Sequence, residues 1–181
     1  MAKKKNLKKS FSSNGLFILM FLGLVILAMG FLTAVTRKSD YTDPTNYSGF
    51  TVIFGKVLTD AGVKGTAGTA GTTKSIAFSF LALLAFFLPL LGSVVAGFLL
   101  KGNKFIAGIV IAACFIASAV LLFMMPQITS IKTVYTLGSK TSTTVETLAE
   151  LGYTLGIGSI IAGAVSSLGA LTSLGLVVIS K

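Results

Sequence analysis

Four stretches of the chain run for about 20 positions or more without a charged residue: Gly15 to Val35, Ile76 to Leu100, Phe105 to Met125 and Leu151 to Ser180. At 1.5 Å of helix rise per residue, each is long enough to cross a hydrocarbon layer roughly 30 Å thick. The polar positions collect between them. This alternation predicts a basic tail at 1–14, spans at 15–35, 76–100, 105–125 and 153–180, outer connections at 36–75 and 126–152, and an inner turn at 101–104. The expected fold is an all-α integral membrane protein of one domain, a four-helix transmembrane bundle with a small extracellular cap of β character.

The pattern changes within the outer connections. Residues 36–49 are turn-rich around Asp43-Pro44 and Gly49. Phe50, Val52 and Phe54 alternate with Thr51, Ile53 and Gly55, which predicts a strand or hairpin arm over 50–58. The small-residue tract 62–73 reads as a low-complexity tether into the second span. In the other connection, the β-branched run 128–136 predicts a strand that pairs with the first. Thr143 and Glu146 stand at capping-box spacing before a stripe of Val145, Leu148, Ala149 and Gly152. The fourth helix is therefore expected to begin outside, near Thr144, and to pass Tyr153 as an interfacial anchor.

Composition supports a membrane setting: of 181 residues, 54% are hydrophobic and 11% charged, against about a quarter charged in soluble domains. Fifteen basic residues face five acidic ones. Lys3, Lys4, Lys5, Lys8 and Lys9 put the N-terminus in the cytoplasm by the positive-inside rule. They are either a topology signal or contacts to anionic inner-leaflet headgroups, worth roughly 1 kcal/mol each. Lys101, Lys104 and Lys181 fall on the same side, so both termini are expected in the cytoplasm, while Asp40, Asp43, Asp60, Glu146 and Glu150 lie outside. Cleavage of the first span as a signal peptide near Ala28–Gly30 is the alternative and would leave three helices. The excess of lysine over arginine favours an AT-rich genome and a bacterial plasma membrane.

Chemistry-bearing residues are sparse. There is one cysteine, Cys114, and no histidine or tryptophan. No carboxylate, histidine, lysine or arginine falls within a predicted span, where proton relays, ion-coupled carriers and intramembrane proteases place theirs. No catalytic residue, metal ligand or cofactor is expected. Gly68 to Ser75 lies one substitution from a P-loop, but Thr73 replaces the last glycine and the stretch falls on the outer side, so neither nucleotide nor nucleic acid is an expected partner. Small residues do form stripes. Ser159, Gly163, Ser167 (or Ser166) and Ala170 line one side of the fourth span, and Ala85, Pro89, Ser93 and Gly97 line the second. Such stripes let helices approach closely, either within the bundle or against another subunit.

The order of tail, helix, long outer loop, helix, short turn, helix, shorter outer loop and helix resembles the claudin and tetraspan style of architecture. The likeness covers topology over nearly the whole chain. The Trp-Gly-Leu-Trp run and cysteine pair of a claudin-type first loop have no counterpart here, so no functional residue is carried over. The expected function is that of a non-catalytic multi-pass protein of the lipid bilayer, an accessory or scaffolding subunit that binds other membrane proteins or itself. The alternative is a channel, holin-like pore or transporter component lined by the fourth span.

Overall fold

The computed structural model describes residues 2–38, 45–65, 68–99 and 104–180. In chain order these form α1 (Ala2–Ala28), a 3-10 turn (Met29–Phe31), β1 (Thr33–Arg37), β2 (Thr45–Ser48), α2 (Gly49–Phe54), β3 (Lys56–Gly65), β4 (Gly68–Ile76) and α3 (Phe80–Leu99). They continue with α4 (Lys104–Phe123), α5 (Met125–Ile128), β5 (Ser130–Leu137), β6 (Lys140–Thr147), β7 (Thr154–Leu155) and α6 (Ile157–Ser180).

This corrects the expected all-α four-helix transmembrane bundle and its tetraspan outline. The chain carries two antiparallel sheets holding about a quarter of its residues. Among the described residues, three helices are long and apolar enough to cross a membrane, in the windows Phe80–Phe98, Phe105–Phe123 and Ile157–Gly175. The apolar stretch Gly15–Phe31, made of the end of α1 and the 3-10 turn, is shorter than these. The run at 15–35 is divided because the chain leaves the helix after Ala28 and turns into β1, where Ala34 and Val35 are fully buried. Their apolar surface is removed from water by a sheet and not by lipid.

α1 packs against α3 and α6, and α4 packs against the same two helices on the far side. Leu19, Ile26, Phe86, Phe115 and Leu122 are fully buried in this body. Phe17, Phe98, Ile116 and Leu171 point outward, as suits side chains facing lipid. Glycine notches set the close contacts. A Cβ at Gly163 would stand 2.8 Å from Cζ of Phe123, and one at Gly169 would collide with the Phe115 ring. The rings of α4 thus seat in α6 where side chains are missing.

The sheets form a cap at one end of this body, since α1 runs into β1, β4 into α3, α4 through α5 into β5, and β7 into α6. One sheet has the order β2-β1-β7 and the other β3-β4-β5-β6, with all pairs antiparallel. Several loop expectations change here. Residues 49–54 are helical and not extended, because Ser48 caps them with its Oγ accepting from the Thr51 N–H at 3.3 Å, and Gly55 at φ 80° ends the turn. The tract expected to be a tether is strand β4 from Gly68 on, hydrogen-bonded to β3 on one side and β5 on the other. The capping-box residues Thr143 and Glu146 lie in β6, and the last helix begins at Ile157. The turn around Asp43-Pro44 and the inner turn at 101–103 lie outside the described residues, as does Lys181.

Candidate functional site

The sequence-predicted face of α6 divides in the structure. Ser159 and Ala170 are buried, Gly163 is packed beneath Phe123, and Ser167 is exposed with its hydroxyl donating to the Gly163 carbonyl at 2.9 Å. The neighbouring Ser166 belongs to the interior: its Oγ lies 3.0 Å from that of Ser118, which donates to the Ala85 carbonyl at 2.5 Å. This hydroxyl pair joins α3, α4 and α6. Ser93 and Ser173 bond to carbonyls of their own helices, Pro89 at 2.7 Å and Gly169 at 2.7 Å. Hydroxyls at membrane depth gain from such partners because lipid offers none. Among the described residues, the buried Oγ of Ser159 is the exception and has no hydrogen-bond partner. The side chains of Lys3, Lys4, Lys5, Lys8 and Lys9 lie outside the described residues, although their backbone is part of α1.

A second site emerges where the two sheets face each other. A cleft of about 190 Å³ is lined by Arg37 of β1, Tyr47 of β2, Lys74 of β4, Thr133 of β5, Glu146 of β6 and Tyr153, among others. Tyr153, expected as an interfacial anchor, is instead buried in the cap. It stacks on Tyr47 at 5.5 Å between ring centroids and donates to the Tyr47 hydroxyl at 3.3 Å, and the Arg37 guanidinium stands 5.8 Å above its ring centroid. Burial, followed by the Tyr153 hydroxyl, pushes the Tyr47 phenol well above its ordinary range, with Arg37 opposing in part. Tyr47 therefore remains a neutral donor and acceptor. Arg37 and Lys74 bring two cations and Glu146 one carboxylate to the rim.

This convergence could not be read from spacing, because the residues named come from six separate segments spread over more than a hundred positions. Lys74 belongs to the P-loop-like stretch Gly68 to Ser75 and, in a tether on the outer side, would be expected at the outer headgroups. That stretch lies in a central strand whose amides face paired strands on both sides, so they do not form the open nest that cradles phosphate. Among the described residues, no three of Cys, Asp or Glu group as metal ligands would.

The third exposed feature is the outer edge of β6, whose residues Lys140 to Glu146 are all exposed. Its last amide, Thr147 N–H, donates to the Glu150 carboxylate at 2.7 Å. That bond, with the Thr147 hydroxyl, holds the Glu150 carboxyl below the usual carboxylate range. No family model, curated protein or solved structure matches this chain.

Proposed function

We propose that the protein is a non-catalytic integral membrane protein, an accessory or scaffolding subunit that holds a small β cap at the membrane surface for other membrane proteins or copies of itself to bind. The observation that carries this reading is where the polar groups of the helices go. Ser93, Ser118, Ser166 and Ser173 are turned inward and bonded within the chain, whereas the exposed positions of α6 include Ile157, Ile160, Leu168, Leu171 and Val178. Such a surface suits lipid and apolar helix contacts better than a polar conduction path. The exposed polar functionality is concentrated in the cap, at the cleft and along β6. The basic segment before Gly15 favours a cytoplasmic N-terminus in a bacterial plasma membrane, and the cap would then lie outside.

The reading is tested by reconstituting purified protein in dye-loaded liposomes, alongside native-nanodisc purification with mass spectrometry of bound proteins. A silent bilayer with a partner retained in stoichiometric amount is the expected result. Ion conductance or dye release that disappears in Gly163→Leu would instead assign the protein to pores.

A further inference from the structure

We propose, resting on the reading of the cap as a docking element, that the free edge of β6 pairs with the same edge of a second copy of this chain. The strands run antiparallel about a two-fold axis through Thr143. The backbone restricts the register. β5 and β6 are joined by Gly138-Ser139, with Gly138 at φ 58° and Ser139 not at positive φ. That is a type II′ turn, in which the flanking pair Leu137 and Lys140 is the hydrogen-bonded one. Alternation along an antiparallel ladder then turns the N–H and C=O of Lys140, Ser142, Thr144 and Glu146 toward β5. Those of Thr141, Thr143, Val145 and Thr147 turn to the open edge. The Thr147 amide agrees, since it is held by Glu150 and not by β5.

A new strand must place its outward groups against these. With Thr143 on the axis, Thr141 meets Val145 of the second copy, Thr143 meets its equivalent, and about six backbone hydrogen bonds close over three pairs. The same register sets Lys140 directly opposite Glu146 of the second copy, and by symmetry this charge pair occurs at both ends. Moving the axis to Thr144 leaves Lys140 unmatched and opposes Thr141 to Thr147, whose amide is already taken. Moving it to Ser142 leaves Glu146 unmatched. One register therefore satisfies both hydrogen bonding and charge.

β6 also lacks two of the usual protections of an open edge, a proline and a bulge in its pairing with β5, and its edge charges, Lys140 and Glu146, are the ones this register matches. A two-fold pair covers both copies of that edge and ends the assembly at a dimer. For copies in one membrane the axis coincides with the membrane normal, and the joined sheet lies along the surface. By strand alternation, Tyr135 and Leu137 share the body-facing side with the buried Ile131 and Thr133, yet both are exposed; this arrangement turns them toward the headgroups.

The test is oxidative cross-linking of the full chain in native membranes, with Thr143→Cys in a Cys114→Ala background. Paired Cα atoms at a hydrogen-bonded antiparallel position lie about 5.5 Å apart, within disulfide range. Ser139→Cys, equally exposed, would sit roughly 26 Å from its equivalent at 3.3 Å per residue. A covalent dimer from Thr143→Cys and none from Ser139→Cys is expected. Thr143→Pro, tolerated within the chain because that amide faces outward, should abolish association, and Lys140→Glu should weaken it until Glu146→Lys is added. Absence of the Thr143→Cys dimer, or equal linking at Ser139→Cys, overturns the self-pairing. If in that case Thr143→Pro still releases a different co-purifying membrane protein, the docking reading stands without self-pairing. If it releases nothing, both fall.

Discussion

Replacing Gly169 by alanine isolates the ring-in-notch packing of the body. A Cβ there collides with the Phe115 ring, and Phe115 is 0% exposed, so the ring has nowhere to move. Overpacking of this kind costs about 1–3 kcal/mol. Gly163→Ala makes a similar intrusion on paper, 2.8 Å from Phe123, but that ring is 45% exposed and can swing toward lipid. Its cost should stay within roughly 0.5 kcal/mol, as for surface changes. Gly175→Ala meets nothing within 4 Å and serves as the reference, since all three variants share the same gain in helix propensity. Relative to Gly175→Ala, Gly169→Ala should melt about 2–12 °C lower in mild detergent, at roughly 2–4 °C per kcal/mol, and Gly163→Ala within about 2 °C. Thermal unfolding followed by size-exclusion chromatography measures this. Adding Phe115→Leu to Gly169→Ala should recover part of the loss, a favourable coupling between contacting sites. Equal melting of Gly169→Ala and Gly175→Ala would refute the notch, and the absence of coupling would refute Phe115 as its occupant.

Serines of similar burial should respond with opposite signs. Ser118→Ala removes the bond to Ala85 and the contact to Ser166, at about 0.6–1.7 kcal/mol for hydrogen bonds between membrane helices. Ser159→Ala deletes an unpartnered buried hydroxyl and should be neutral or stabilising by up to about 1 kcal/mol in the same melting assay. At the end of β6, the depressed Glu150 carboxyl contributes stability that is fully present above the usual carboxylate range and is lost as pH falls through its lower folded value. Hydrogen exchange at the Thr147 amide should accelerate with that acid step, and in Glu150→Gln the step should vanish. The Tyr47 phenol is shifted the other way, so its contribution holds below the ordinary tyrosine range and is lost as pH rises through the higher folded value. An ultraviolet phenolate step well above that range, missing in Tyr47→Phe, is the expected signature.

Hydropathy made three of the long helices legible, because a run of apolar residues long enough to span lipid has few other stable uses. The same signal misread the first run, since residues 33–35 bury their apolar atoms in β1 as effectively as lipid would. β5 was visible in the β-branched run 128–136, whereas its neighbour β4 was not. In "GTAGTTKSI" the small residues give no period-two contrast, and the strand is defined by partners on both edges. The capping-box spacing at Thr143 and Glu146 is equally the spacing of strand residues on opposite faces, and the two-residue turn at Gly138-Ser139 decided in favour of the hairpin. Of the candidate sites, the small-residue stripe of α6 could be read from four-residue steps within one helix. The cleft could not, because Tyr47 and Tyr153 meet only after the sheets have assembled.

The join between cap and body determines how an event at the cap is felt below. The Gly156 N–H donates to the Ala34 carbonyl at 2.8 Å, and a Cβ at Gly158 would stand 2.9 Å from both the Leu32 side chain and the Thr33 carbonyl. The start of α6 is thus pressed against the chain leaving α1, with no side chain between them to yield. α3 and α4 are tied in from above as well: the Ser79 hydroxyl donates to the Ile128 carbonyl at 2.9 Å, and the Ser79 N–H to the Ile53 carbonyl at 3.1 Å. A hinge requires a few residues free to change φ and ψ between the parts, and these contacts restrict that freedom at all four junctions. Strain applied along β6 by a docked strand would pass through β5 to α5 and α4, whose Phe123, at the helix end, and Phe115, further along it, meet the notches of α6. The packing of rings into glycines is therefore where binding at the cap would be expected to register within the membrane, and Gly169→Ala is the substitution that should change such a response without touching the cap.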